Sequence, residues 1–332
     1  MHVPDGFLDA KTAAATGLLA AAGLAVAVRH ARLHTPPCRV PLLGLAAAFV
    51  FAAQMINFPV AAGTSGHLIG GVLAAVLLGP GAAVVVISAV LVVQCLMFAD
   101  GGISALGANV FNMALVGTVG GWAIYCLVSR AIGGLFGRVL AAAFAAWCGT
   151  VLASVACAGE LAVARTVSWS AALPAMAGVH MLIGIGEGLI TALILVAIAR
   201  TRPELLERHP ADRSTRSYGT AVAFGVLIAL GLALFVSPLA STWPDGLDRT
   251  AEVLGFRDKA TDPILPAPIP DYEVPGVRWA TAATSIAGAA GTIIVFVLSW
   301  ALARVLVPGA APVGTFAAPN GHEDGRKTDT VM

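Results

Sequence analysis

Charge is scarce in this chain. Across 332 residues only 11% are Asp, Glu, Lys or Arg, 58% are apolar, and the mean hydropathy is +0.88. An ordinary soluble domain carries about a quarter charged residues, so that class is excluded. Lysine is nearly missing. Lys11, Lys259 and Lys327 are the three present, and none stands in a Gly-x-x-x-x-Gly-Lys-Ser/Thr loop. The polypeptide therefore offers no nucleotide-hydrolysing motif of its own. The five cysteines, Cys38, Cys95, Cys126, Cys148 and Cys157, are odd in number and scattered. They imply neither a disulfide framework nor a zinc cluster and read as small packing residues. No HExxH or triad-like pattern argues for an enzyme, and no nucleic-acid partner is expected.

What the chain does have is long apolar runs. They lie near 12–28, 41–57, 67–79, 82–99, 107–128, 138–158, 175–198, 219–237 and 283–307, most of them long enough to cross a bilayer. The expected fold is an all-α, polytopic membrane bundle of about nine transmembrane segments. Gly79-Pro80-Gly81 separates the short third run from the fourth, so these two could form a tight hairpin or include a re-entrant piece. With nine crossings the termini lie on opposite sides. Placing the N-terminus outside leaves 13 of the 19 basic residues in inner segments, and four of the six outer ones fall in one acidic loop. The positive-inside rule thus predicts an outer N-terminus and a cytoplasmic C-terminus in a multi-pass protein of the cell (cytoplasmic) membrane.

The segments group into a seven-helix unit over 1–200, a cytoplasmic linker over 201–218, a two-helix module over 219–308 and a disordered cytoplasmic tail over 309–332. An extracytoplasmic loop, 241–279, joins the last two spans and carries seven acidic residues among several prolines. Short helical turns are expected around 247–256. Gly117 with Gly121, and Gly184 with Gly188, have the spacing that lets membrane helices approach closely.

The chain opens Met1-His2-Val3-Pro4-Asp5-Gly6-Phe7 with no secretory signal pattern. The bulk of His2 is expected to keep Met1 in place, and the first span to act as an uncleaved anchor. A free Met1 amine and the His2 amide close a five-membered chelate on a metal. The His2 ring nitrogen nearest Cβ closes a six-membered one. Three coplanar nitrogens suit Ni(II) or Cu(II), and Co(II) more loosely. The alternation of crossings puts Ala62-Gly63-Thr64-Ser65-Gly66-His67 on the same face as Met1. His67 can supply a fourth nitrogen, with Gly63 and Gly66 allowing a tight backbone path. Gln54, Asn57, Thr64 and Ser65 are candidates to fix the His67 ring, and Asp5 to orient the N-terminal segment. Binding to amine and amide nitrogens releases protons, so affinity should collapse in acid.

Two further polar residues lie within a span. His180 and Glu187 are two helical turns apart on one face, and read either as a relay or coupling element or as an interhelical hydrogen bond. Asn109 and Asn112 are expected to bond neighbouring helices.

MHVPDGF (1–7), QMINFPVAAGTSGHLIGG (54–71), ALGANVFNMA (105–114) and HMLIGIGEGLIT (180–191) together resemble the CbiM/NikM family. These are substrate-binding membrane components of energy-coupling factor (ECF) transporters for cobalt and nickel. Trp243-Pro244-Asp245-Gly246-Leu247-Asp248 resembles the PDGLE-type small component, CbiN/NikN-like, with Asp248 where that motif has Glu. The resemblance implies a metal held by Met1, His2 and His67 as transported substrate, and no cofactor of the chain's own. It also implies a CbiQ/NikQ-like transmembrane coupling subunit, two CbiO/NikO-like ABC ATPases and a metal-loading role for the 241–279 loop. The departure Ala61-Ala62 ahead of Gly63 alters the stiffness of the approach loop and leaves the ligands intact. Cobalt and nickel are not separable from these residues. The competing reading is a stand-alone secondary metal transporter driven by an ion gradient, with His180 and Glu187 as its relay.

Overall fold

The computed structural model describes residues 1–61, 63–206 and 218–307. Most of the linker at 201–218, the whole tail at 309–332, and Ala62 lie outside those residues. The apolar runs become helices whose ends are marked by capping residues, Gly or Pro. Helix α1 (Ala10–His34) starts at Asp9, whose carboxylate accepts from the amides of Lys11 and Thr12, each at 3.3 Å. Next come α2 (Val40–Gln54) and a hairpin of β1 (Phe58–Ala61) and β2 (Thr64–Gly66), antiparallel with Phe58 opposite Gly66. Helices α3 (Gly71–Leu78), α4 (Pro80–Phe98), α5 (Leu106–Ala131), α6 (Gly134–Val163) and α7 (Trp169–Thr201) follow. Beyond them lie α8 (Gly219–Leu239), the short α9 (Gly246–Leu254) and α10 (Ala280–Leu306).

Among the described residues eight helices are long and apolar enough to cross a membrane. The chain is a multi-pass helical membrane protein. The run at 67–79 is the one that does not form a full span. Gly70 (φ +75°) and Gly79 (φ +89°) adopt conformations that favour glycine, and only the eight residues of α3 between them are helical. Eight residues rise about 12 Å, less than half of a hydrocarbon core of about 30 Å. The non-helical residues 67–70 extend the path. The segment nevertheless joins the two ends of the bundle. His67 lies beside Met1, whereas the Leu77 carbonyl accepts from Arg39 at the start of α2 and Gly81 abuts His30 near the end of α1. At the other junction α10 descends along α2, with Gly288 against Met55 and Gly44 against Trp300. Among the described residues the backbone therefore runs from end to end nine times, and Met1 and Val307 lie at opposite ends.

Close packing rests on small residues, as their spacing predicts. A Cβ at Gly184 would lie 2.8 Å from Trp147, and one at Gly188 2.8 Å from the Ala143 carbonyl, so α6 and α7 run in direct contact. A Cβ at Gly291 would lie 2.2 Å from Phe51, which seats α10 on α2. Phe224, Leu227 and Phe235 on α8 remain exposed, as suits a helix facing lipid. Helix α5 is wound wide, as a π-helix, over Val110–Gly120. Such stretches are frequent at functional sites, and this one begins beside Asn109.

Candidate metal centre

The first seven residues form no helix; they thread into one end of the bundle. Met1, Val3 and Phe7 are buried there. Asn109 grips Val3 on both sides: the Val3 N–H donates to Oδ1 at 2.8 Å and Nδ2 donates to the Val3 carbonyl at 3.2 Å. The Gly102 N–H donates to that carbonyl as well, at 2.8 Å. Asp5 accepts from the Ser104 N–H at 2.8 Å and from the Ser104 hydroxyl at 2.5 Å. Its own carbonyl takes the Thr261 N–H at 2.9 Å. A Cβ at Gly102 would lie 2.2 Å from the Asp5 nitrogen, so only glycine lets the two backbones meet. Asp5 thus orients the N-terminus, as expected, while Asn109 holds the terminal segment rather than a neighbouring helix. Asn112 does bond a neighbouring helix, donating to Glu160 on α6 at 2.7 Å.

These clamps bring Met1, His2 and His67 together. The Met1 amine lies 3.0 Å from His67 Nε2 and is also ion-paired with Asp245. His67 Nδ1 is 3.1 Å from the Leu68 carbonyl, a bond that assigns the proton to Nδ1 and leaves the Nε2 lone pair facing Met1. The His2 and His67 rings stack, with centroids 5.2 Å apart and planes 19° from parallel. The His2 ring nitrogen expected to complete the chelate points elsewhere, lying 3.0 Å from Asp100 Oδ1, while Nε2 is buried without a partner. Closing a six-membered chelate requires the imidazole to turn away from Asp100.

Two carboxylates that the sequence reading did not single out as site residues complete the cluster. Asp245 Oδ1 caps α9 by accepting the amides of Leu247 at 2.8 Å and Asp248 at 2.9 Å, and Oδ2 faces the Met1 amine. Asp100 accepts from His2 and, through Oδ2, from the Tyr272 hydroxyl at 2.5 Å. Tyr272 in turn stacks on Phe98, 4.7 Å between centroids. Burial disfavours the charge on both acids. The amine outweighs burial at Asp245, and His2 and Tyr272 outweigh it at Asp100, so both carboxyls are held well below the usual range. Burial and the neighbouring Asp245 push Asp248 the other way, up to about 6. The only hints in the sequence were Asp100 following an apolar run toward the Met1 face and Asp245 within the PDGLE-like motif.

The expected supporting residues play different parts. Ser65, Thr64 and Asn57 do not bond the His67 ring. Ser65 donates its hydroxyl to the Trp243 carbonyl at 2.7 Å and its amide to the Pro244 carbonyl at 2.9 Å. Thr64 is buried in the same strand, and the Asn57 carbonyl accepts the Ser241 amide at 2.8 Å. These residues anchor the 241–279 loop because a hairpin edge offers unpaired backbone and hydroxyl groups to it. Glu187 accepts the amides of Ile69 at 2.6 Å and Gly70 at 2.9 Å, and Gln54 donates to the Ile69 carbonyl at 2.9 Å. Together they fix the backbone just after His67. His180 is tied to the Met176 carbonyl of its own helix at 2.8 Å, and a Cβ at Gly246 would lie 2.7 Å from its ring. It seats α9, and among the described residues no hydrogen bond joins it to Glu187. A polar chamber of about 640 Å³ opens over His2 and His67, bounded by both units of the chain.

Residues 2–205 match the family model for the cobalt uptake substrate-specific transmembrane region, CbiM, and residues 219–307 match the PDGLE domain. The chain belongs to the CbiM family. A protein of Archaeoglobus fulgidus, provisionally named a fused nickel transport protein NikMN, is 38% identical over 306 residues, covering 92% of this chain and 98% of its own. The fused nickel transport protein NikMN of Rhodobacter capsulatus is 38% identical over 251 residues, 70% of this chain and 72% of its own. A crystal structure described as a truncated transition metal transporter superposes with a TM-score of 0.55 at 34% identity, covering 60% of this chain and 99% of that one. This CbiM-family chain is a cobalt or nickel transport component of the CbiM/NikM type fused to a PDGLE domain, a kind that works with other subunits.

Proposed function

We propose that the chain is the substrate-specific component of an ECF-type ABC importer for Co(II) or Ni(II) in the cytoplasmic membrane, with the Met1 end outside. The ion is held by four nitrogens: the Met1 amine, the His2 amide, the His2 imidazole and His67 Nε2. The observation that carries this reading is the 3.0 Å approach of His67 Nε2 to the terminal amine, with its tautomer fixed by the Leu68 carbonyl. An entering ion displaces the ammonium proton and the amide proton, frees Asp245 from its ion pair and draws the His2 ring off Asp100. The two freed carboxylates then balance the charge of the ion.

ATP hydrolysis belongs to two CbiO/NikO-like ATPases, coupled through a CbiQ/NikQ-like membrane subunit. The contacts of Glu187 and His180 support this partnered reading over a stand-alone proton-coupled one. Glu187 is committed to two backbone amides, and His180 to its own helix and α9. Neither is a relay in this arrangement.

Adding one residue ahead of Met1 tests the proposal. It should lower Ni(II) and Co(II) affinity by more than the roughly 100-fold that loss of a supporting group costs. Equilibrium dialysis measures it, and unchanged affinity would refute the terminal-amine site.

A further inference from the structure

The chamber over His2 and His67 is larger and more acidic than a four-nitrogen site needs. Five carboxylates line it, against the single guanidinium of Arg257. Most are already engaged. Asp245 pairs with the Met1 amine, Asp100 with His2 and Tyr272, and Glu252 with Arg249 and Arg257. Asp248, half-buried on the first turn of α9, has no hydrogen-bond or ion-pair partner for its carboxylate among the described residues. Asp271 stands exposed at the rim.

Three residues that line this space each keep a buried atom without a partner: His2 Nε2 on a side chain 6% exposed, Gln54 Oε1 on a residue 3% exposed, and Asn57 Oδ1. In the neutral His2 tautomer that donates Nδ1–H to Asp100, Nε2 is an acceptor, as are the amide oxygens of Gln54 and Asn57. Buried acceptors without donors are costly. A ligand whose outer surface consists of donors, carrying positive charge, satisfies all of them at once. A hydrated divalent cation is such a ligand: its water shell donates in every direction. About six waters at ~30 Å³ each need roughly 180 Å³, well within the chamber.

The geometry points to a second cation site in this chamber, an antechamber holding the divalent ion through its water shell before nitrogen coordination. Asp248 is its free carboxylate, and Gln54 Oε1 and His2 Nε2 accept from the shell. The inference builds on the nitrogen-site reading above and explains why the PDGLE unit lies over the N-terminus. Asp248, Glu252 and Asp271 all come from its loop, so the antechamber exists only when that loop is seated on Ser65 and Asn57.

Mn(II), which prefers oxygen ligands, is the probe, added to the full chain in detergent and followed by electron paramagnetic resonance. About one Mn(II) per chain should be retained, bearing exchangeable water and no directly bound nitrogen. Asp248→Asn should weaken it about tenfold, the loss of one nearby charge. The same variant should slow Ni(II) uptake while leaving the final Ni(II) stoichiometry unchanged, which shows that the chain is still folded. Asp248→Glu should restore retention, and Asp258→Asn, exposed on the same loop, should alter neither quantity. No Mn(II) retention, retention indifferent to Asp248→Asn, or Mn(II) with directly bound nitrogen would overturn the antechamber and leave the nitrogen site standing. A chain that holds water-coordinated Mn(II) through Asp248 but takes up no Ni(II) would uphold the antechamber and sink the nitrogen-site reading.

Discussion

The two ends of the bundle each contain a cavity at the junction of the CbiM and PDGLE units, and the two have opposite chemistry. At the Met1 end the chamber of about 640 Å³ is walled by carboxylates, imidazoles and amide oxygens. At the other end a cleft of about 560 Å³ lies between α2, α3, α7 and α8 and is walled by Leu, Ala, Ile and Phe, with Thr201 and Arg202 as its polar residues. A hydrated divalent ion finds compensation at the first and none at the second, where stripping its water would be prohibitive. Capture and release are therefore unequal tasks for this chain. On the proposed reading, capture is built into its own residues, whereas release toward the apolar end requires the bundle to be rearranged with energy supplied by partner subunits.

The sharpest way to break the contrast is at the polar end. His67→Ala removes the one proposed ligand outside the first two residues and should abolish stoichiometric Ni(II) retention by the purified protein. Full retention would remove His67 from the site. A smaller loss is expected from Glu187→Gln. One amide oxygen must then serve two backbone N–H groups while an NH₂ faces donors, costing about 1–3 kcal/mol of local stability and about 10- to 100-fold in metal affinity. Isothermal titration of this variant beside His67→Ala would rank the two, and an equal loss in both would move Glu187 onto the transport path. Asn109→Ala frees the Val3 N–H and leaves its carbonyl only the Gly102 amide, and should lower affinity by about tenfold, at the low end of that supporting-group range. Helix content should be unchanged, because the clamp binds a non-helical segment. The smallest effect is predicted at the apolar end, where Thr201→Val should leave Ni(II) affinity unaltered. A change there would mean that the two cavities communicate in the resting protein.

Much of this architecture was legible in the sequence because membrane helices announce themselves by length and apolarity. The convergence of Met1, His2 and His67 was legible as well, since the alternation of crossings depends only on counting spans. The run at 67–79 shows the limit of that reasoning. Its composition is apolar enough for a helix, but Gly70 and Gly79 adopt positive φ and confine the helix to α3. Side-chain partnerships between distant segments were the least legible. Asp245 meets a group 244 residues away, and Ser65 turns toward Trp243 rather than its near neighbour His67. Glu187 was visible as an anomaly in an apolar run, yet its partners, the amides of Ile69 and Gly70, belong to backbone that no composition reveals. The acidic content of the 241–279 loop was plain. That the acids face inward over the N-terminus follows only once α9 is seated between His180 and Ser65.

X-ray absorption spectroscopy of the full chain loaded with one equivalent of Ni(II) tests the central claim most directly. A first shell of nitrogen alone, with the outer-shell signature of two imidazoles, is the predicted result. A shell containing the Met1 sulfur or the carboxylate oxygens of Asp100 or Asp245 would contradict it.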